Sequence, residues 1–187
     1  MRLPIFIVGA LIAVLTLSST QAGSRVEPPT GFLQFSTPRA IPDIRFEDAE
    51  GRTISLTQFR GRLILVNLWA TWCEPCRREM PSLDRLQAML GGPAFEVVAI
   101  SLDYRDFAKA RAFYRDVGIR SLGLYLDSPK RLMADLSPRA LPTTLLIDAE
   151  GHERGWQTGP TEWDSPAMVA FLKDQIAQAQ KRPAVRP

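Results

Sequence analysis

The 187 residues contain two cysteines, and both lie in the stretch WATWCEPCRR, as Cys73 and Cys76. Thiols this close can join each other and can exchange with a disulfide of another molecule. One thiolate attacks, a mixed disulfide forms, and the second thiol resolves it. A purely structural crosslink is a poor explanation, because so short a loop removes little entropy from the unfolded chain. Zinc requires four ligands, or three and a water. Besides the cysteines the chain offers one histidine, His152, read as a solvated turn residue, so no metal site is expected. Cu(I) binding by two soft thiolates stays open as a different class of function, a chaperone without redox turnover.

Such chemistry needs the first sulfur exposed and activated and the second held behind it. The apolar run LILVNLW (63–69) reads as a strand buried on both faces. Glu74 to Leu90 reads as a helix, with Met80, Leu83, Leu86 and Leu90 on one side and Gly91-Gly92-Pro93 stopping it. Cys73 therefore falls at a helix N-terminus, where free N–H groups and the macrodipole favour a thiolate. Cys76 lies one turn on and more enclosed, as the resolving thiol. Pro75 stiffens the first helical turn, and Trp72 gives an apolar surface beside the attacking sulfur. A negative Glu74 disfavours the Cys73 thiolate and makes the pair more reducing.

The remaining pattern alternates. IRFEDAEGRTISL reads as a hairpin turning at Asp48–Gly51, and the same DAEG at 148–151 is turn chemistry used twice. Strands are expected at 95–102, 122–126 and 143–148, with a weaker one ending near Trp156. Helices are expected from Asp106 to Val117, from Pro129 to Leu136, and from Ser165-Pro166 to about Ala179. The order gives an α/β domain with a mixed central β-sheet flanked by helices and preceded by an N-terminal β-hairpin.

The formal net charge is +3, with basic residues scattered among acidic ones. No basic stripe with interleaved aromatics is present, so nucleic acid is not an expected partner. Residues 1–22 read as a targeting segment: Arg2, an apolar run from Leu3 to Leu17, then a small-residue end at Thr20-Gln21-Ala22. The run is shorter than the roughly 20 residues of a membrane span. Both a cleaved signal peptide and an uncleaved anchor through residues 3–17 are consistent with it, and both export the domain to an oxidising compartment. Residues 23–40, with Pro28, Pro29 and Pro38, read as a linker, 41–179 as the domain, and 180–187 as a frayed tail.

The segment NLWATWCEPCRREMPSLDRLQ resembles the active-site segment of the TlpA/ResA branch of thioredoxin-fold proteins, exported thiol:disulfide oxidoreductases of bacteria. The resemblance runs from about Ile41 to Ala179 and includes ISLDYRD, ALPTTLLIDAEG and GPTEWDS. It implies a thioredoxin fold whose one redox group is the Cys73–Cys76 disulfide, with no other cofactor. It implies a cis peptide bond at Leu141-Pro142, placing the Leu141 backbone beside Cys73 to pair with a substrate strand. Trp72, Glu74, Pro75, Leu141 and Thr143 are then the substrate-facing positions. Glu79 matches the branch's active-site carboxylate, able to accept or relay the proton of Cys76; the competing reading is a surface helix glutamate.

Two departures from relatives matter. Thioredoxins proper carry a buried aspartate where this chain has Asn67, which cannot take a proton, so the acid–base burden falls on Glu79, Glu74 or water. In peroxiredoxins a threonine precedes the reactive cysteine by three residues, together with a proline; here Thr71 precedes Cys73 by two and the proline is absent, which argues against a peroxidase. The branch further implies a reductase of cysteine pairs in oxidised exported proteins, fed by a membrane thiol carrier of the DsbD/CcdA type. Its implied substrates are copper-site assembly factors of cytochrome oxidase or the oxidase subunit itself, and as second choice apocytochrome c.

Overall fold

The structure, a computed structural model, describes residues 26–127 and 131–181. The apolar segment 3–17 and its anchoring role lie outside these residues, as does the tail from 182 onward. Among the described residues no helix is long and apolar enough to cross a membrane.

In chain order the strands are β1 (Phe32–Ala40), β2 (Arg45–Glu47), β3 (Thr53–Ser55), β4 (Leu63–Trp69), β5 (Phe95–Ser101), β6 (Tyr125–Leu126), β7 (Thr143–Ile147) and β8 (His152–Thr158). The helices are α1 (Glu74–Leu90), α2 (Phe107–Val117), α3 (Leu132–Leu136) and α4 (Pro166–Lys181), with a 3-10 turn at Leu56–Phe59. The strands form one mixed sheet in the order β1-β8-β7-β4-β5-β6-β2-β3. β4 runs parallel to β5 and antiparallel to β7, which is why its seven residues are all buried.

Side chains alternate between the faces of a strand, and in β4 this alternation builds two cores. Leu63, Leu65 and Trp69 join α1, α2 and α4 through Met80, Leu83, Phe113 and Phe171. Ile64, Val66 and Leu68 join Ile44, Phe46, Leu56, Phe59 and Leu132 on the other face. Asn67 shares the first face by parity, so a polar side chain on the central strand is directed at α1.

The two DAEG segments do the same work. Asp48 Oδ1 accepts the Arg52 N–H at 2.9 Å, and Asp148 Oδ1 accepts that of His152 at 2.8 Å. Gly51 and Gly151 supply the positive φ that each turn requires. α1 runs unbroken through Pro81, because its buried face outweighs the one lost backbone donor.

The expectation of a linker over residues 23–40 is corrected: residues 32–40 are β1, an edge strand antiparallel to β8. Its register slips between Gln34 and Arg39, so the period-2 signal is lost, and Pro38 is accommodated within that irregular edge stretch. β8 is longer than its weak pattern suggested. Its Gly155 is required by the closeness of β1, since a Cβ there would lie 2.4 Å from the Leu33 carbonyl oxygen. The strand expected at 122–126 is reduced to Tyr125–Leu126, and α3 begins at Leu132, with 128–130 outside the described residues. Gln180 and Lys181, expected in the tail, close α4.

The Phe32 ring lies 5.1 Å from that of Phe171 in α4. Phe32→Ala is therefore expected to cost about 3 kcal/mol, read as a lowered midpoint in urea unfolding; a linker residue would leave the midpoint unmoved.

Candidate active site around Cys73 and Cys76

β4 ends at Trp69, and the chain turns through Ala70, Thr71 and Trp72 into α1. Cys73 is the N-cap of that helix, its Sγ accepting the Cys76 N–H at 3.3 Å. The two cysteines are joined in a disulfide. Cys73 retains 6% of its surface and Cys76 none, so an incoming sulfur reaches Cys73 first. After reduction, the open N–H groups of the first helical turn favour negative charge at Cys73. Trp72 is 65% exposed beside it, an apolar plate facing solvent. Pro75 occupies the first turn. Glu74 is exposed and shared between Arg77 at 3.8 Å and Arg78 at 3.6 Å. Its field at Cys73 is thereby reduced, and the charge argument for a low potential is weaker than the sequence alone suggested.

The turn before Cys73 is braced by a group the sequence reading did not single out. Asp103 accepts the Thr71 N–H at 2.7 Å and the Thr71 hydroxyl at 2.6 Å. Ser101 Oγ donates to the same carboxylate at 2.7 Å, and Lys109 Nζ lies 3.6 Å away. The parallel register Trp69↔Ser101 explains this: two residues beyond each strand end, Thr71 and Asp103 come side by side. The carboxylate in ISLDYRD, directly after a buried strand, was the available signal.

The Leu141-Pro142 bond is cis. Leu141 packs against the core that holds both cysteines, while Pro142 is buried. Thr143 is also buried and its hydroxyl donates to the Ala140 carbonyl at 2.7 Å, so its polar group holds the loop. Leu141 thus shares a core with Cys73 and Cys76, Trp72 precedes Cys73 in the chain, and Glu79 follows Cys76 by three residues on α1. His152 lies at the start of β8, its Nδ1 3.6 Å from Asp148, beyond the opposite end of β4 as the pairing Ile64↔Ile147 shows.

Glu79 is only 2% exposed, which overturns the surface-glutamate alternative. Asn67 Nδ2 donates to its Oε1 at 2.8 Å, and to Thr144 Oγ1 at 2.9 Å. Its Oε2 accepts the Thr161 N–H at 3.1 Å and the Trp163 indole N–H at 3.2 Å. Burial raises its pKa to about 7, against the pull of these donors. Thr144, Thr161 and Trp163 were missed as site residues. They lie far from the cysteines in sequence: Thr144 reaches Asn67 through the pairing of β7 with β4, and Thr161 and Trp163 reach Glu79 through the loop before α4.

Residues 38–154 match the AhpC/TSA family. This chain belongs to that family. Among similar members, the thiol-disulfide oxidoreductase ResA of Geobacillus thermodenitrificans is 31% identical over 118 residues, which cover 63% of this chain and 67% of that protein. ResA of Bacillus anthracis is 30% identical over 113 residues. That match spans 60% of this chain and 64% of the length of the relative. A Chlorobium tepidum structure assigned as the thiol:disulfide interchange protein DsbE superposes with a TM-score of 0.63 at 26% identity, over 78% of this chain and 98% of that one. The family match and this superposition agree with the thioredoxin fold described above.

A carboxyl with a folded pKa near 7 and an unfolded value of 4.5 binds protons more tightly when folded. Its contribution to stability is complete below pH 4.5 and is lost as pH rises through 7, a change of roughly 3 kcal/mol. Glu79→Gln is expected to remove that slope, so that urea unfolding of variant and parent diverges in the variant's favour as the pH is raised.

Proposed function

We propose that this chain is an exported thiol:disulfide oxidoreductase that reduces cysteine pairs in partner proteins. The observation that carries the reading is the stacked order of groups: Cys73 at the rim and at a helix N-terminus, Cys76 buried behind it, and the carboxyl of Glu79 three residues further along the same helix. In the reduced protein the Cys73 thiolate attacks a partner disulfide, forming a mixed disulfide and releasing one partner thiolate. Cys76 then loses its proton, Glu79 or a water beside it accepting the proton, and attacks Cys73 Sγ. The second partner thiolate leaves, and the Cys73–Cys76 disulfide closes. Two electrons pass to the partner for each disulfide formed here. The cycle is restored by a membrane thiol carrier of the DsbD/CcdA type. No other cofactor is invoked.

The relatives' name, thiol-disulfide oxidoreductase ResA, supports this class of reaction. Export rests on residues 1–22: the domain is periplasmic, either free after cleavage or tethered through residues 3–17. The partners proposed are copper-site assembly factors of cytochrome oxidase, with apocytochrome c as the second choice; both rest on the TlpA/ResA resemblance. The peroxidase alternative is disfavoured further by Thr71, whose hydroxyl is committed to Asp103 at 2.6 Å. A Cu(I) chaperone has no use for a titrating carboxyl on the helix that carries the second sulfur.

Cys76→Ser is expected to trap mixed disulfides with exported proteins in cells, and Cys73→Ser to trap none. Equilibration in thiol redox buffers, read by tryptophan fluorescence, is expected to place the Cys73–Cys76 potential near that of thioredoxin, about −270 mV. A value near that of DsbA, about −120 mV, reverses the direction proposed.

A further inference from the structure

The loop between β8 and α4 runs across Glu79 as a strap. Two of its N–H groups, from the Thr161 backbone and the Trp163 indole, converge on one carboxylate oxygen, Oε2, at 3.1 and 3.2 Å. The strap is fastened twice to α1, the helix that carries Glu79. Ser82 Oγ accepts the Trp163 N–H at 3.0 Å and donates to the Glu79 carbonyl at 2.7 Å. Arg85 bonds Glu162 at 2.8 Å and Asp164 at 3.2 Å. Trp163 is fully buried in the core that contains both cysteines. A cleft of about 310 Å³ is lined by Arg78, Glu79, Pro160, Thr161 and Glu162, so the strap and Glu79 border the same opening to solvent.

We propose that Trp163 is a positioning residue for the resolving step: its indole N–H, held by the strap, fixes Glu79 Oε2 and sets the pH at which that carboxyl exchanges its proton through the cleft. A buried carboxylate with no cation on it depends on such donors. Around it, α1 contributes Arg78 at the cleft and Cys76 one turn back. β4 and β7 present the neutral Asn67 and Thr144, and the strap brings Glu162 and Asp164, both engaged by Arg85. The indole is thus the one side-chain donor on Oε2 among the described residues, and its removal leaves the charges around Glu79 unchanged.

The inference rests on the reading that Glu79 handles the Cys76 proton, and the test separates the two. In the full chain labelled with ¹³C-glutamate, the Glu79 carboxyl signal is identified by its absence in Glu79→Gln and titrated by NMR, alongside the pH dependence of disulfide reduction. Trp163→Phe keeps an aromatic ring and removes the N–H. Its Glu79 titration is expected to move up by about one pH unit, because a bond that favoured the charged form is gone, and the rate profile is expected to move with it. A Glu79 titration that stays in place in the folded variant overturns the proposal. A titration that moves while the rate profile stays upholds Trp163 as the setter of the carboxyl and removes Glu79 from the reaction instead. Should Trp163→Phe fail to fold, the surface variant Arg85→Gln, which removes one of the strap's two fastenings and leaves Ser82 and both donors in place, is expected to shift the titration in the same direction by a smaller amount; no shift there is again the overturning result.

Discussion

A carboxyl group buried on the helix that begins at the disulfide, and bonded only by neutral N–H donors, constrains much of this site. Withdrawing Glu79 from water disfavours its charged form, and among the described residues no guanidinium or ammonium is bonded to it. Its three partners come from β4 and from two points on the loop before α4. The loop must therefore pass over α1, and α1 must present Glu79 toward β4. The outcome is a group able to change charge near neutral pH, on the same helix as a fully buried thiol that must lose a proton to react.

β4 delivers both halves of this arrangement. Its parity sends Asn67 to the face of α1, and its C-terminal end launches the turn that places Cys73 at the helix start. The parallel neighbour β5 then supplies Asp103 to hold that turn through Thr71. A strand slipped by one residue would send Asn67 to the opposite core and leave Glu79 without the partner on its Oε1. Position of the sulfurs and environment of the carboxyl are thus set by the same register.

Much of this was legible in the sequence where the signal was local. The β4 and α1 boundaries follow from an unbroken apolar run and a helical stripe, and the stripe prevailed over Pro81 inside the helix. Both DAEG turns follow from aspartate and glycine at fixed offsets. β1 was not legible, because its register slip interrupts alternation, and Pro38 within it and Pro28-Pro29 before it carry the signature of a linker. Within the site, Cys73, Cys76 and Glu79 were visible through spacing along one helix and through the family resemblance. Asp103, Thr144, Thr161 and Trp163 were not, since each becomes a neighbour of the site only once strands distant in sequence pair.

Asn67 shows how the two levels meet. An aspartate at 67 would set a second carboxyl within hydrogen-bond reach of Glu79. Two such groups cannot both ionise at ordinary cost, so one would hold a proton and their titrations would be coupled. An amide at that position donates to Glu79 and to Thr144 and takes no proton itself. The strand then serves as a fixed donor and the helix carries the single titrating group, on the same element as the thiol it is proposed to serve. Moving the charge from strand to helix also lets the strap, through Thr161 and Trp163, act on that group alone.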